Sequence, residues 1–97
     1  MVDNNHIISI LRQAKASLRE SYGIKSLALF GSYSRNTAIA GKSDIDIVVE
    51  FSEPIGIRFI DLADDLEQIL KHKVDLVSRN GIRPKYFNVI EPDLIYV

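Results

Sequence analysis

A Gly-Ser pair and three aspartates are the residues of this chain best suited to chemistry. Gly31-Ser32 closes an apolar run, Leu27-Ala28-Leu29-Phe30. Asp44-Ile45-Asp46 opens a second apolar run that ends at Phe51. Asp75 lies inside a third, Val74-Asp75-Leu76-Val77. A strand points alternate side chains to one face, so Asp44 and Asp46 share a face and Ile45 and Ile47 take the other. Neighbouring carboxylates repel unless a proton or a cation sits between them. Hard carboxylate oxygens suit Mg²⁺, which takes one or two carboxylates together with phosphate oxygens. Glycine lets a phosphate approach the backbone, and the free N–H groups of a following helix start favour an anion. The simplest chemistry for the whole set is a divalent metal holding a phosphate.

Each feature has a plainer reading when taken alone. Gly31-Ser32 would serve as an ordinary strand-to-helix turn. Asp44 and Asp46 would suit the wet face of an edge strand, although strands disfavour Asp. Asp75 would be costly to bury unless paired, and cheap on an exposed face. Only their combination points to a function.

The elements that must carry these residues follow from periodicity. Ile7, Leu11, Ala14 and Leu18 recur at helical spacing and predict a helix over 4–22. Asp3 or Asn4 caps its start, and Gly23 ends it in the left-handed conformation. Residues 26–30 form strand one, residues 32–38 one or two helical turns, residues 40–43 a loop, and residues 44–51 strand two. Residues 57–71 form a second long helix with Phe59, Ala63, Leu66 and Leu70 on its apolar stripe. Residues 73–78 form strand three, Asn80-Gly81 a turn, and residues 85–90 a short helix before an irregular or extended end. This α-β-α-β-α-β order implies a small α/β domain of two or three layers. Gly31-Ser32 follows strand one and Asp44 starts strand two, so they meet only if those strands run antiparallel. The helix between strands two and three is long enough for a parallel crossover. The expected sheet is therefore mixed.

Composition narrows the function classes. The 97 residues amount to one domain, with 46% hydrophobic and 26% charged residues. Its core would be thin enough for a partner chain or self-association to matter. No cysteine is present, so disulfides and thiolate zinc sites are excluded, which fits a reducing cytoplasm. The N-terminus lacks a secretory pattern, and no apolar run is long enough to span a bilayer. Twelve basic and 13 acidic residues give a net charge of −1, which disfavours a long polynucleotide partner. His6 and His72 lack a second histidine at metal spacing and read as surface or core-rim residues. The acidic run Asp61, Asp64, Asp65, Glu67 reads as a solvated helix face. The four tyrosines are mainly packing candidates, with Tyr33 beside the phosphate turn.

The combination Gly31-Ser32-Tyr33-Ser34-Arg35-Asn36, Ser43-Asp44-Ile45-Asp46-Ile47 and Val74-Asp75-Leu76-Val77 resembles the DNA polymerase beta nucleotidyltransferase superfamily, above all its minimal nucleotidyltransferases, the MNT domains. The resemblance spans about residues 25–77. Ser34 stands where the family has alanine, and Asn36 where it has glycine. Asparagine tolerates the left-handed conformation, so the turn is expected to survive. The resemblance implies the polymerase-beta-like fold and an Mg²⁺-dependent transfer of AMP from ATP. It places Asp44, Asp46 and Asp75 as catalytic residues that ligate the metal, with two ions expected. It places Gly31, Ser32 and Arg35 against the triphosphate. It also implies a HEPN-domain toxin as partner, silenced by AMP transfer to a tyrosine. Two alternatives stay open: nucleotidyl transfer to a small-molecule hydroxyl, and an antitoxin that acts by binding alone.

Overall fold

The computed structural model describes residues 3–35, 37–39 and 42–97. Helix α1 (Asn4–Tyr22) starts where the Asp3 carboxylate accepts the His6 N–H at 2.9 Å. It stops at Gly23, whose φ of 67° is left-handed. Strand β1 (Ile24–Phe30) leads into a single helical turn, α2 (Gly31–Ser34), shorter than the helix expected over 32–38. Asn36, Ala40 and Gly41, with their part of the expected turn and loop, lie outside the described residues. Strand β2 (Ile45–Phe51) and helix α3 (Arg58–Leu70) follow. Strand β3 (Val74–Ser78), a 3-10 turn (Arg79–Gly81) and helix α4 (Pro84–Ile90) come next. A second 3-10 turn (Glu91–Asp93) leads to strand β4 (Ile95–Tyr96).

The sheet order is β3-β2-β1-β4. β1 pairs antiparallel with β2 and β4, and β2 pairs parallel with β3. The mixed sheet is the one expected, and it brings Gly31 against Asp46. The tail left open by the sequence becomes β4, which covers the outer edge of β1, and Val97 N–H donates to the Leu27 carbonyl at 3.0 Å.

Strand alternation divides the sheet by face. Leu27, Leu29, Ile45, Ile47 and Val49 join Ile7, Leu11 and Leu18 of α1 and Leu62, Leu66 and Leu70 of α3 in one core. Burying a side chain of this size contributes roughly 1.5–3 kcal/mol, so this layer fixes the strand register. Asp46 alternates with Ile45 and Ile47 and points to the opposite face, the face that Ala28, Val48 and Asp75 share. Ala28 and Val48 are buried there outside the main core. The hydrophobic layer thereby holds the acidic residues on the other side of the sheet.

Candidate active site

The site begins where β1 must end. Gly31 has a φ of 74°, which costs a residue with a side chain but not glycine. Space imposes a second, independent demand. A Cβ on Gly31 would collide with Asp46 Oδ2 and lie 3.0 Å from Asp46 Cγ. The sequence suggested glycine for close approach of a phosphate, and the structure shows close approach of a carboxylate. The α2 turn is closed on itself. Arg35 N–H and the Ser34 hydroxyl both donate to the Gly31 carbonyl, at 3.2 and 2.9 Å. Thr37 N–H donates to the Ser32 carbonyl at 2.8 Å.

Asp46 stands opposite Phe30 in the antiparallel ladder and opposite Asp75 in the parallel one. This register brings Gly31, Asp46 and Asp75 together. Asp44 sits one residue before β2 and is exposed. Its approach is shaped by Ser43, whose hydroxyl accepts the Ile39 N–H at 2.9 Å and whose own N–H donates to the Ile39 carbonyl at 3.0 Å. Ile45 N–H donates to the Lys73 carbonyl at 2.9 Å and ties the start of β2 to the start of β3.

The electrostatics follow from this crowding. Partial burial pushes the Asp46 carboxyl up to about 6, with the charges of Asp75 and then Asp44, and a hydrogen bond to Asp75, adding to the shift. Arg35 opposes it. The Arg35 guanidinium is itself 3.3 Å from Asp93 Oδ2, at a surface where such pairs contribute little. It thus ties the α2 turn to the segment before β4 and remains exposed.

Among the described residues, no group of three or more His, Cys, Asp or Glu side chains is arranged to hold a metal ion. Asp46 and Asp75 form a pair, and Asp44 reaches Asp46 through its charge rather than in a closed cluster. The donor chemistry nevertheless fits Mg²⁺. All three ligands would be hard oxygens, and the repulsion that raises Asp46 is what a divalent cation relieves.

Two cavities lie elsewhere. One of about 370 Å³ is bordered by Tyr22, Gly23, Ser52 and Arg58, and one of about 340 Å³ by Phe51, Ile55 and Phe59. Both are at the Ile24–Phe51 end of the β1–β2 pair, whereas Asp46 is at the Phe30 end. Asp44 and Asp75 are exposed, and Asp46 is half-buried.

Other residues make specific contacts that their sequence reading, as packing tyrosines, a surface or core-rim histidine and a solvated acidic face, did not include. Tyr22 donates to Asp65 Oδ2 at 2.5 Å, and this bond first, then burial, pushes its phenol up to about 12. Glu67 accepts the Val74 N–H at 3.0 Å. Two of the four residues in the expected solvated acidic face are therefore structural. Tyr33 is buried and its hydroxyl meets His72. Such partners are separated in sequence and leave no local periodic signal.

Comparison with known proteins agrees with this geometry. Residues 11–97 match the nucleotidyltransferase domain family. A Methanocaldococcus jannaschii protein, named provisionally as a protein adenylyltransferase, is 50% identical over 95 residues, 96% of each chain. The protein adenylyltransferase MntA of Thermococcus cleftensis is 37% identical, over 100% of this chain and 98% of its own. A solved structure described as a minimal nucleotidyltransferase superposes with a TM-score of 0.80 at 28% identity, covering 97% of this chain and 95% of the other. The Shewanella oneidensis complex of a tri-AMPylated HEPN toxin with its MNT antitoxin matches with a TM-score of 0.59 at 26% identity, covering 96% of this chain and 66% of the other. A toxin–antitoxin structure with AMP-PNP matches with a TM-score of 0.59 at 32% identity, covering 84% and 61%.

Proposed function

The chain belongs to the nucleotidyltransferase domain family, and from that premise we propose that it transfers AMP from ATP to a tyrosine hydroxyl of a HEPN-type partner and so acts as an antitoxin. The observation that carries the reading is the packing of Gly31 against Asp46, with Asp75 next to Asp46 on the neighbouring strand. A glycine turn directly beside paired carboxylates supports a site for a triphosphate and its metal. The named relatives and the tri-AMPylated complex support the choice of AMP and of a HEPN acceptor.

In this mechanism Gly31 and Ser32 hold the β- and γ-phosphates, and Arg35 adds positive charge to the triphosphate. Asp44, Asp46 and Asp75 would hold Mg²⁺. When bound, Mg²⁺ neutralises charge on the triphosphate as it develops during transfer. The acceptor oxygen forms a bond to the α-phosphorus while the bond to the pyrophosphate oxygen breaks. Pyrophosphate leaves with the electron pair, and the hydroxyl proton passes to a carboxylate oxygen of Asp75. The chain's part is to orient the triphosphate and receive that proton; such positioning supplies a large share of catalysis in related chemistry.

The test uses ATP labelled at the α-phosphate, Mg²⁺ and a purified HEPN partner. Label should appear on the partner with wild-type protein and vanish with Asp44→Asn/Asp46→Asn. Label on small molecules alone would move the acceptor away from protein. Full neutralisation of the partner by the double variant would replace transfer with binding.

A further inference from the structure

We propose that Tyr33 and His72 form a strut that sets the phosphate turn at a fixed height above the carboxylate strands, which makes both of them positioning residues for nucleotide binding. The proposal rests on the nucleotidyl-transfer reading of the site.

Tyr33 follows Ser32 in the one-turn helix α2, yet it is only 4% exposed. Its hydroxyl lies 3.1 Å from His72 Nε2, and the two rings meet edge to face at 5.6 Å and 82°. His72 Nδ1 lies 3.0 Å from the Lys73 carbonyl. A carbonyl only accepts, so Nδ1 carries the proton. Nε2 then presents a lone pair, to which the Tyr33 hydroxyl donates.

The far end of the strut is anchored. Lys71 closes α3 in the left-handed region at φ 52°, with its N–H donating to the Glu67 carbonyl. His72 N–H donates to the same carbonyl at 3.3 Å, and the Glu67 carboxylate accepts the Val74 N–H at 3.0 Å. The Lys73 carbonyl that receives His72 also receives Ile45 N–H at 2.9 Å. Ile45 lies between Asp44 and Asp46, and Val74 precedes Asp75. One connected path thus runs from the turn that holds Gly31-Ser32 to the backbone beside all three carboxylates.

The near end has no slack. Gly31 is so close to Asp46 that a Cβ would not fit. The bonds of the turn itself run to the Gly31 and Ser32 carbonyls and close it, so they do not link it to the carboxylate strands. Loss of the Tyr33 hydroxyl bond would let α2 move relative to Asp46 without emptying the core, because the ring remains. His72 reaches Tyr33 and backbone, so its effect on a nucleotide would be indirect.

The experiment compares Tyr33→Phe, His72→Ala, His72→Gln and the Tyr33→Phe/His72→Ala double variant with wild type. The readouts are MgATP dissociation constant by calorimetry, KM and kcat for AMP transfer to a HEPN partner, and thermal midpoint. Tyr33→Phe and His72→Ala should each weaken MgATP binding and raise its KM about tenfold, with kcat held within about threefold. The double variant should be no worse than either single one, because both break one link. His72→Gln keeps an oxygen that can accept from Tyr33 and should recover most of the loss. Wild-type MgATP affinity in Tyr33→Phe would overturn the strut. So would parallel loss of affinity, kcat and thermal midpoint with His72→Gln no better than His72→Ala. If wild type binds MgATP with the expected variant pattern but transfers nothing, the strut stands and the transfer reading falls. If wild type does not bind MgATP, both fall.

Discussion

Gly31 and Asp46 carry the account at the scale of single residues. Gly31 meets two demands at once, a left-handed φ and the contact with Asp46. Gly31→Ala should therefore cost more than the roughly 1 kcal/mol of an unfavourable backbone alone. Thermal melts should show that loss, and AMP transfer should fall by about 100-fold, because a displacement of about 1 Å at a reacting group has that effect. Asp46 works against the fold that holds it. Its carboxyl is raised from 3.8 to about 6, so the native chain binds this proton more tightly than the unfolded chain does. The resulting stability is fully present below about pH 3.8 and is lost as pH rises through about 6. Metal binding needs the carboxylate and should strengthen over the same interval. Asp46→Asn should therefore abolish transfer yet stabilise the metal-free protein near pH 7. Discounted for solvent screening, the gain is about 1 kcal/mol, or roughly 4–8 °C in thermal midpoint. A wild-type midpoint that does not fall between pH 4.5 and 7 without metal, or an unchanged midpoint in Asp46→Asn, would contradict this assignment.

At the scale of elements, the antiparallel β1–β2 pair and the parallel β2–β3 pair create the site by register. Both directions were expectations of the sequence. The apolar runs marked the strands, a meeting of Gly31-Ser32 with Asp44 required β1 and β2 to be antiparallel, and the helix before β3 was long enough for a parallel crossover. The stripe of α1 was legible for the same reason, since Ile7, Leu11 and Leu18 repeat at helical spacing and are buried. Helix α3 shows the limit of that signal. Leu62 is fully buried, whereas Phe59 and Ala63 of the expected stripe are only partly so. Several i, i+3 and i+4 choices fit one short amphipathic helix, and tertiary packing selects among them. Strand β4 was not legible, because two residues carry no period, and its pairing is decided by the open edge of β1. The Glu67 bond to Val74 was hidden for a related reason: its sense depends on how α3 turns into β3. Glu67→Ala should fray the start of β3, lower stability by about 1–2 kcal/mol, and speed hydrogen exchange at Val74. Unchanged exchange there would show that the bond does not hold the corner.

At the scale of the whole molecule, Asp46 and Asp75 lie on the sheet face opposite the core that α1 and α3 cover, with Asp75 and Asp44 exposed. Among the described residues, no helix is long and apolar enough to cross a membrane. The exposed Asp44 and Asp75 carboxylates suit an acceptor that arrives on another protein, and the two cavities described lie at the far end of the sheet. Site and fold should be linked through ligand. MgATP at 100 times its dissociation constant should stabilise the wild type by about 2.7 kcal/mol. That stabilisation should disappear when the metal is chelated or in Asp44→Asn/Asp46→Asn. AMP transfer is decided by the intact mass of a HEPN partner after incubation with this protein, Mg²⁺ and ATP. The expected result is a gain of whole AMP units, mapped to tyrosine, that is absent with Asp44→Asn/Asp46→Asn. An unmodified partner, silenced equally by wild type and by the double variant, would contradict the account.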